Sequence, residues 1–321
     1  ATSADGKLLV TAAMDSTIRV WDIEDSKSYR LKHLLDKHTM GVQGVSITAD
    51  GQLIASCSDD MTARIWNAES GQPVSTIVGH TEPLHDVRFS ADGKRLVTAS
   101  TDRTARVWDL TGQQQLLLQG HFETVNAAVF TSDQKQVLTV ADDMTVKVWS
   151  AEGKRGTKVI RGHKDVTWCC DFSPDGNILA SVSEDGTVTF VDLQHGWIHG
   201  DRIPHDNAML CVAFSPNSRT DFVAVGGADA TIRIYRAQDG KLLKSFKAHQ
   251  DFVWDVQFSP DGKLLASGGS DKAVNIWNTE DWSLVKSLTR HDSELASVRF
   301  SGDGKYLLTG SDDRTIMLWD A

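Results

Sequence analysis

Serine, histidine and aspartate recur along this chain at spacings that invite a catalytic reading. His38, Ser56 and Asp60 form one such set, His80, Thr98 and Asp102 a second, and His121, Thr139 and Asp143 a third. A single copy could supply a hydroxyl nucleophile, a general base and the carboxylate that orients it. Seven histidines, at 38, 80, 121, 163, 205, 249 and 291, also raise the question of zinc. Repetition argues against both. Catalysis needs one site, and residues that return about every 42 positions cannot converge on one substrate or one ion. The aspartate occurs at 15, 60, 102, 143, 185, 229, 271 and 313, so the period runs through the whole chain. A sustained period of this length signals a repeat architecture. Ser183-Glu184-Asp185-Gly186 resembles a sialidase-type Asp-box, but it occupies the ordinary hairpin slot of its repeat and carries no weight.

The elements that hold these residues are legible in the stretch from His249 to Trp277. Phe252 to Phe258 is aromatic and β-branched and reads as a strand. Ser259-Pro260-Asp261-Gly262 has turn chemistry, Leu264 to Gly268 reads as a second strand, and Ser270-Asp271-Lys272 is a tight turn. Ala273 to Trp277 and Leu284 to Leu288 supply the third and fourth strands. Each unit is therefore a four-stranded antiparallel sheet with short hairpins, and no segment keeps a helical period. Such a sheet cannot bury both faces alone. Stacking the units radially does so, which is the β-propeller solution.

The same residues resemble the WD-repeat β-propeller family along the whole chain. Its signature of Gly-His, a hairpin Asp and Trp-Asp stands here as Gly79-His80, Asp102 and Trp108-Asp109. The resemblance implies a structural tetrad, in which the Asp accepts from the His, the His meets a hydroxyl, and the hydroxyl meets the Trp indole N–H. Five units carry all four members: His38, Ser56, Asp60 and Trp66; His80, Thr98, Asp102 and Trp108; His121, Thr139, Asp143 and Trp149; His249, Ser267, Asp271 and Trp277; and His291, Thr309, Asp313 and Trp319. The first unit has Thr11, Asp15 and Trp21 but no histidine in range. The fifth has Val191 for the Trp, and the sixth has Val225 for the hydroxyl and Tyr235 for the Trp. These three are expected to be less rigid. The expected fold is all-β, a WD40-type propeller of eight blades, the first lacking its innermost strand and the last its outermost; seven blades is the alternative. As one domain over 1–321, the units run approximately 1–37, 38–79, 80–120, 121–162, 163–204, 205–248, 249–290 and 291–321. The numbering opens in mid-repeat, so the chain is expected to be part of a longer native protein.

Bulk properties narrow the function. The 321 residues carry 43 acidic against 33 basic side chains, a net charge of −10. That disfavours direct nucleic-acid binding and favours a basic or mixed-charge protein partner. Cys57, Cys169, Cys170 and Cys211 share no spacing and read as reduced, buried small hydrophobes, which fits the cytoplasm or the nucleus. Cys169 and Cys170 are adjacent in a strand, so they point to opposite sides and cannot form a metal pair. No signal peptide, membrane-length apolar run, metal cluster or phosphate loop stands apart from the repeat, so no cofactor and no membrane partner are expected.

If the tetrads are frame, function belongs to positions that break the repeat. Three slots per blade should face the top of the channel: the third and fifth residues after the His, and the residue before the Asp. In blades five to seven they bring Val166, Trp168, Leu210, Phe252 and Trp254 together, with Asp59, Asp142, Glu184, Glu294 and Asp312 expected around them. Met14, Asp59, His85 and Asp142 hold these slots in the earlier blades. Apolar anchors inside an acidic rim have the anatomy of a protein-binding surface for a segment with an apolar residue flanked by Lys or Arg. The family resemblance implies a non-catalytic interaction scaffold. The alternatives are a sensor or regulatory domain of a larger signalling or NTPase protein, or a substrate receptor in a complex such as a ubiquitin ligase. Trp197, Trp282, the irregular segment from His195 to Arg202 and the long turn from Ser215 to Asp221 are secondary contact candidates.

Overall fold

The computed structural model describes all residues except 24–28, 132, 155–156, 162, 194–195, 198–202 and 217–220. Its described residues contain strands and turns but no helix. They form eight antiparallel sheets rather than seven, each with its strands in chain order. Two compact units divide them, Ala1–Arg161 and Gly162–Ala321, with four blades in each.

Blade two shows the pattern. Its strands are Val42–Ile47, Leu53–Ser58, Thr62–Asn67 and Pro73–Val78. The second strand is almost wholly buried, because both its faces are covered by neighbouring blades, while the fourth alternates and exposes Val74 and Val78. The first sheet (strands between residues 8 and 35) and the eighth (between 295 and 320) have three strands each. In blade five two short pieces, Gly196–Trp197 and Ile203–Pro204, both pair with the third strand, Thr187–Asp192. The irregularity expected there is thus an outer strand in two parts. His195, the residues from Ile198 to Arg202 and those from Asn217 to Thr220 lie outside the described residues, as does the Trp197 side chain.

The turn between first and second strands is built by side-chain chemistry. In blade three Ser90 Oγ donates to Asp92 Oδ1 at 2.6 Å and accepts from Arg95 N at 2.9 Å, while Gly93 takes φ 67°, where an L side chain is strained. The core lies between blades, where apolar second-strand residues meet the first strand of the next. Ala55, Cys57, Leu84, Val87 and Trp108 form one such cluster. All four cysteines are free, and burial pushes the Cys57 and Cys211 thiols well above their ordinary range. Trp282 packs edge-on against Phe222 at 5.4 Å and lies near Phe246, filling space beside the neighbouring blade.

Candidate functional site

Each tetrad is held by two loops that emerge on the same side of a blade. In blade three His80 Nδ1 lies 2.7 Å from Asp102 Oδ2, His80 Nε2 lies 2.7 Å from Thr98 Oγ1, and Trp108 Nε1 donates to Thr98 Oγ1 at 2.8 Å. A carboxylate only accepts and an indole N–H only donates. One proton arrangement therefore satisfies the chain: indole to hydroxyl, hydroxyl to Nε2, and Nδ1–H to carboxylate. In that arrangement the imidazole is neutral. Burial lowers the His38, His80, His121 and His249 pKa values despite the adjacent carboxylates. Burial alone would raise the Asp143 pKa, but hydrogen bonds from Thr145, Phe122 N and His121 hold it down at about 2. The tetrads of His38, His121, His249 and His291 repeat this geometry, with every contact between 2.6 and 3.0 Å. With hydroxyl and imidazole buried in the blade, the arrangement rigidifies the hairpins and offers no nucleophile to solvent.

The three incomplete blades use substitutes. In blade one Trp21 Nε1 donates to Thr11 at 3.2 Å, and Asp15 binds Thr17 and Arg19. In blade five Val191 brings no donor, but the Thr189 and Ser181 hydroxyls meet at 2.5 Å and His163 Nε2 lies 2.8 Å from Ser181. In blade six the Tyr235 hydroxyl reaches past Val225 to His205 Nε2 at 2.5 Å, and Asp229 pairs with Arg233 at 2.5 Å. Sequence reasoning missed the residue four positions after the Asp. It is a cation in five blades, and in four of them Arg19, Arg106, Lys147 and Arg233 each reach the carboxylate of their own blade. Lys147 is buried, bonds the Gly120 carbonyl and lies over the Phe122 ring. The recurrence of Arg or Lys at this offset was the available signal.

The fifth-slot residues share a backbone cause. In every blade that has one, the pairing of first and second strands slips there: between Val42 and Gly44, Leu84 and Asp86, Val125 and Ala127, Thr167 and Cys169, Met209 and Cys211, Val253 and Asp255, and Leu295 and Ser297. The skipped residue is an extra one in a β-bulge, which re-aims its side chain. Gln43, His85, Asn126, Trp168 and Trp254 all turn to the residue before the Asp. Gln43 Nε2 donates to Asp59 at 2.9 Å, His85 Nε2 lies 2.7 Å from Thr101 Oγ1, and Asn126 Nδ2 donates to Asp142 at 2.7 Å. Trp168 Nε1 donates to Glu184 at 2.6 Å and Trp254 Nε1 to Ser270 at 2.7 Å. Two of the predicted slots are thus one hydrogen-bonded pair in five blades.

Within Gly162–Ala321, Trp168 is 48% and Phe252 41% exposed, and Val166 and Trp254 are partly buried. Phe252 meets Trp254 edge-on at 5.8 Å, and Glu294 of the next blade accepts from Trp254 Nε1 at 3.1 Å and from Ser270 at 3.0 Å. Glu184, Glu294 and Asp312 are exposed. Leu210 departs from the expectation: it is 8% exposed and no open anchor. Its partner slot is Ala228, so nothing polar draws it outward, and it packs inward instead. Within Ala1–Arg161, Met14 is exposed, while Asp59, His85 and Asp142 are half-buried in their pairs. No group of three or more potential metal ligands occurs among the described residues.

The family model described as "WD domain, G-beta repeat" matches residues 1–22, 29–67, 71–109, 112–150, 155–192, 201–236, 240–278 and 282–320. The nuclear distribution protein PAC1 of Coccidioides posadasii is 30% identical over 131 residues, 34% of this chain and 27% of that protein. Eukaryotic translation initiation factor 3 subunit I of Phaeosphaeria nodorum is 33% identical over 107 residues, 33% of this chain and 31% of that protein. This chain thus matches about a third of the length of these curated relatives. The crystal structure of the computationally designed Ika8 protein superimposes with a TM-score of 0.85 at 26% identity, over 98% of this chain and 93% of that one.

Proposed function

This chain belongs to the WD domain, G-beta repeat family, and from that premise we propose that it is a non-catalytic scaffold that binds a protein segment on blades five to seven. The observation that carries the reading is the exposed Trp168, on a bulge, and the exposed Phe252, packed on the bulge residue Trp254, edged by Glu184 and Glu294. The indole N–H groups are already committed to acceptors, so a partner meets ring faces and the free carboxylate oxygens. That chemistry suits an apolar residue flanked by Lys or Arg. Asp312 of blade eight extends the acidic rim. The net charge of −10 favours such a partner over nucleic acid, and four free thiols suit a reducing compartment such as the cytoplasm.

The test is a peptide array of apolar residues flanked by Lys or by Glu, probed with the wild type and with the Trp168→Ala, Trp254→Ala double variant. Selective capture of the Lys-flanked peptides by the wild type, lost in a folded double variant, is expected. Equal capture by both proteins overturns the reading.

A further inference from the structure

Six methionines occur in the chain, and three of them stand exposed on adjoining loops of blades one and two: Met14 at 70%, Met40 at 52% and Met61 at 42%. Methionine is ordinarily a core residue, so three together in solvent require a reason. Hydrogen bonds to backbone carbonyls tie the loops together. Val42 N donates to Ala13 O at 3.1 Å across the two blades, Ser58 Oγ donates to Met40 O at 3.1 Å, and Met61 N donates to Ser58 O at 3.2 Å. Between them lies Gly41, where an added Cβ would stand 3.1 Å from the Met14 Sδ and Cε and 3.1 Å from Asp59 Oδ2. The glycine thus lets the Met14 thioether lie down beside the Asp59 carboxylate.

Asp59 gives the surface its charge. Gln43 Nε2 donates to both its oxygens, at 2.9 and 3.0 Å, which fixes the carboxylate without neutralising it. Among the described residues no Lys or Arg pairs with it. We propose that this methionine-lined patch is a second docking surface, and that its occupant is a basic amphipathic segment of a partner protein. Unbranched, polarizable thioethers adapt to apolar side chains of many shapes, and the oriented carboxylate takes a Lys or Arg head beside them. The inference rests on the reading that the chain binds proteins, and it is independent of the Trp168 cluster.

The experiment is a titration of protein carrying 13C-methyl methionine with a short amphipathic peptide of leucine and lysine. The Met14, Met40 and Met61 methyl signals are expected to move, while Met209, fully buried in blade six, stays in place as an internal reference. Replacing the peptide's lysines with glutamates should abolish the shifts. Asp59→Asn should weaken binding roughly tenfold, as loss of one charge-assisted contact. In Trp168→Ala, which removes the other surface the peptide could occupy, the shifts of the three methionine methyls should persist at the same peptide concentrations. Static methionine signals, or equal binding of the glutamate peptide, overturn the proposal. Binding that leaves the methionines static and disappears with Trp168→Ala overturns it too, and credits the tryptophan face alone.

Discussion

The Thr98 hydroxyl of blade three accepts from one neighbour and donates to another, and both partners are buried with it. Removing one partner therefore costs more than a contact, because the hydroxyl left behind is desolvated for nothing. Trp108→Phe keeps most of the ring and removes the indole N–H. It should destabilise the protein by about 1–3 kcal/mol in denaturant melts, and a loss well under that would show that the tetrad contributes little. Blade five explains why residue types alone mislead here. Val191 looks like a broken tetrad in the sequence, yet Thr189, two positions earlier on the same face of the same strand, brings its hydroxyl to Ser181. The four tetrad positions were legible because eight copies align themselves. The cation beside the Asp was as legible by recurrence, but its role depends on the bend of the hairpin, which spacing does not give.

At the scale of the strand, the repeat predicted which slots vary but not that two of them bond to each other. The chain carried the clue at a fixed separation. Gln43, His85, Asn126, Trp168 and Trp254 can donate, their partners Asp59, Thr101, Asp142, Glu184 and Ser270 can accept, and the apolar Leu210 is matched by Ala228. The bulge that aims these residues has no residue signature of its own, which is why the burial of Leu210 was not legible. The second strand offers a sharper test of local packing. Gly226 and Gly310 hold equivalent positions in blades six and eight, one residue beyond the hydroxyl slot. A Cβ on Gly226 would meet Cys211 Sγ at 2.6 Å and Val253 Cγ1 at 2.7 Å, whereas one on Gly310 meets nothing within 4 Å. Gly226→Ala should overpack blade six and cost about 1–3 kcal/mol. Gly310→Ala should be neutral or stabilising by up to about 1 kcal/mol, through the unfolded chain. Equal effects of the two in thermal melts would contradict this account of the strand.

For the molecule as a whole, the same small network repeated in blade after blade turns a local proton preference into a global one. His38, His80 and His121 in the first unit and His205 and His249 in the second all have pKa values below the ordinary 6.5, with burial the largest cause. In the tetrad of His80, protonating Nε2 would set it against the Thr98 hydroxyl, which already accepts from Trp108 and would then have only the Arg106 carbonyl, at 3.5 Å, to donate to. The unfolded chain titrates near 6.5, so below that pH it binds protons that the folded chain refuses. Stability is then fully present above pH about 6.5 and falls as the solution is acidified, each histidine adding a slope of at most about 1.4 kcal/mol per pH unit. The aspartates act in a separate window. Asp60, Asp102 and Asp143 titrate below the ordinary 3.8, because hydrogen bonds outweigh the burial that would raise them, so their contribution is lost only as pH falls below about 4. Denaturant midpoints should therefore be flat from about pH 8 to 7, decline through the histidine window and drop again in the carboxylate window. Substituting His80 by Gln should lower the plateau and flatten the first decline, since one of the refusing sites is gone. A midpoint that stays level between about pH 7 and 5 would mean that the histidines accept protons within the fold, and the neutral tautomer derived from the tetrad geometry would be wrong.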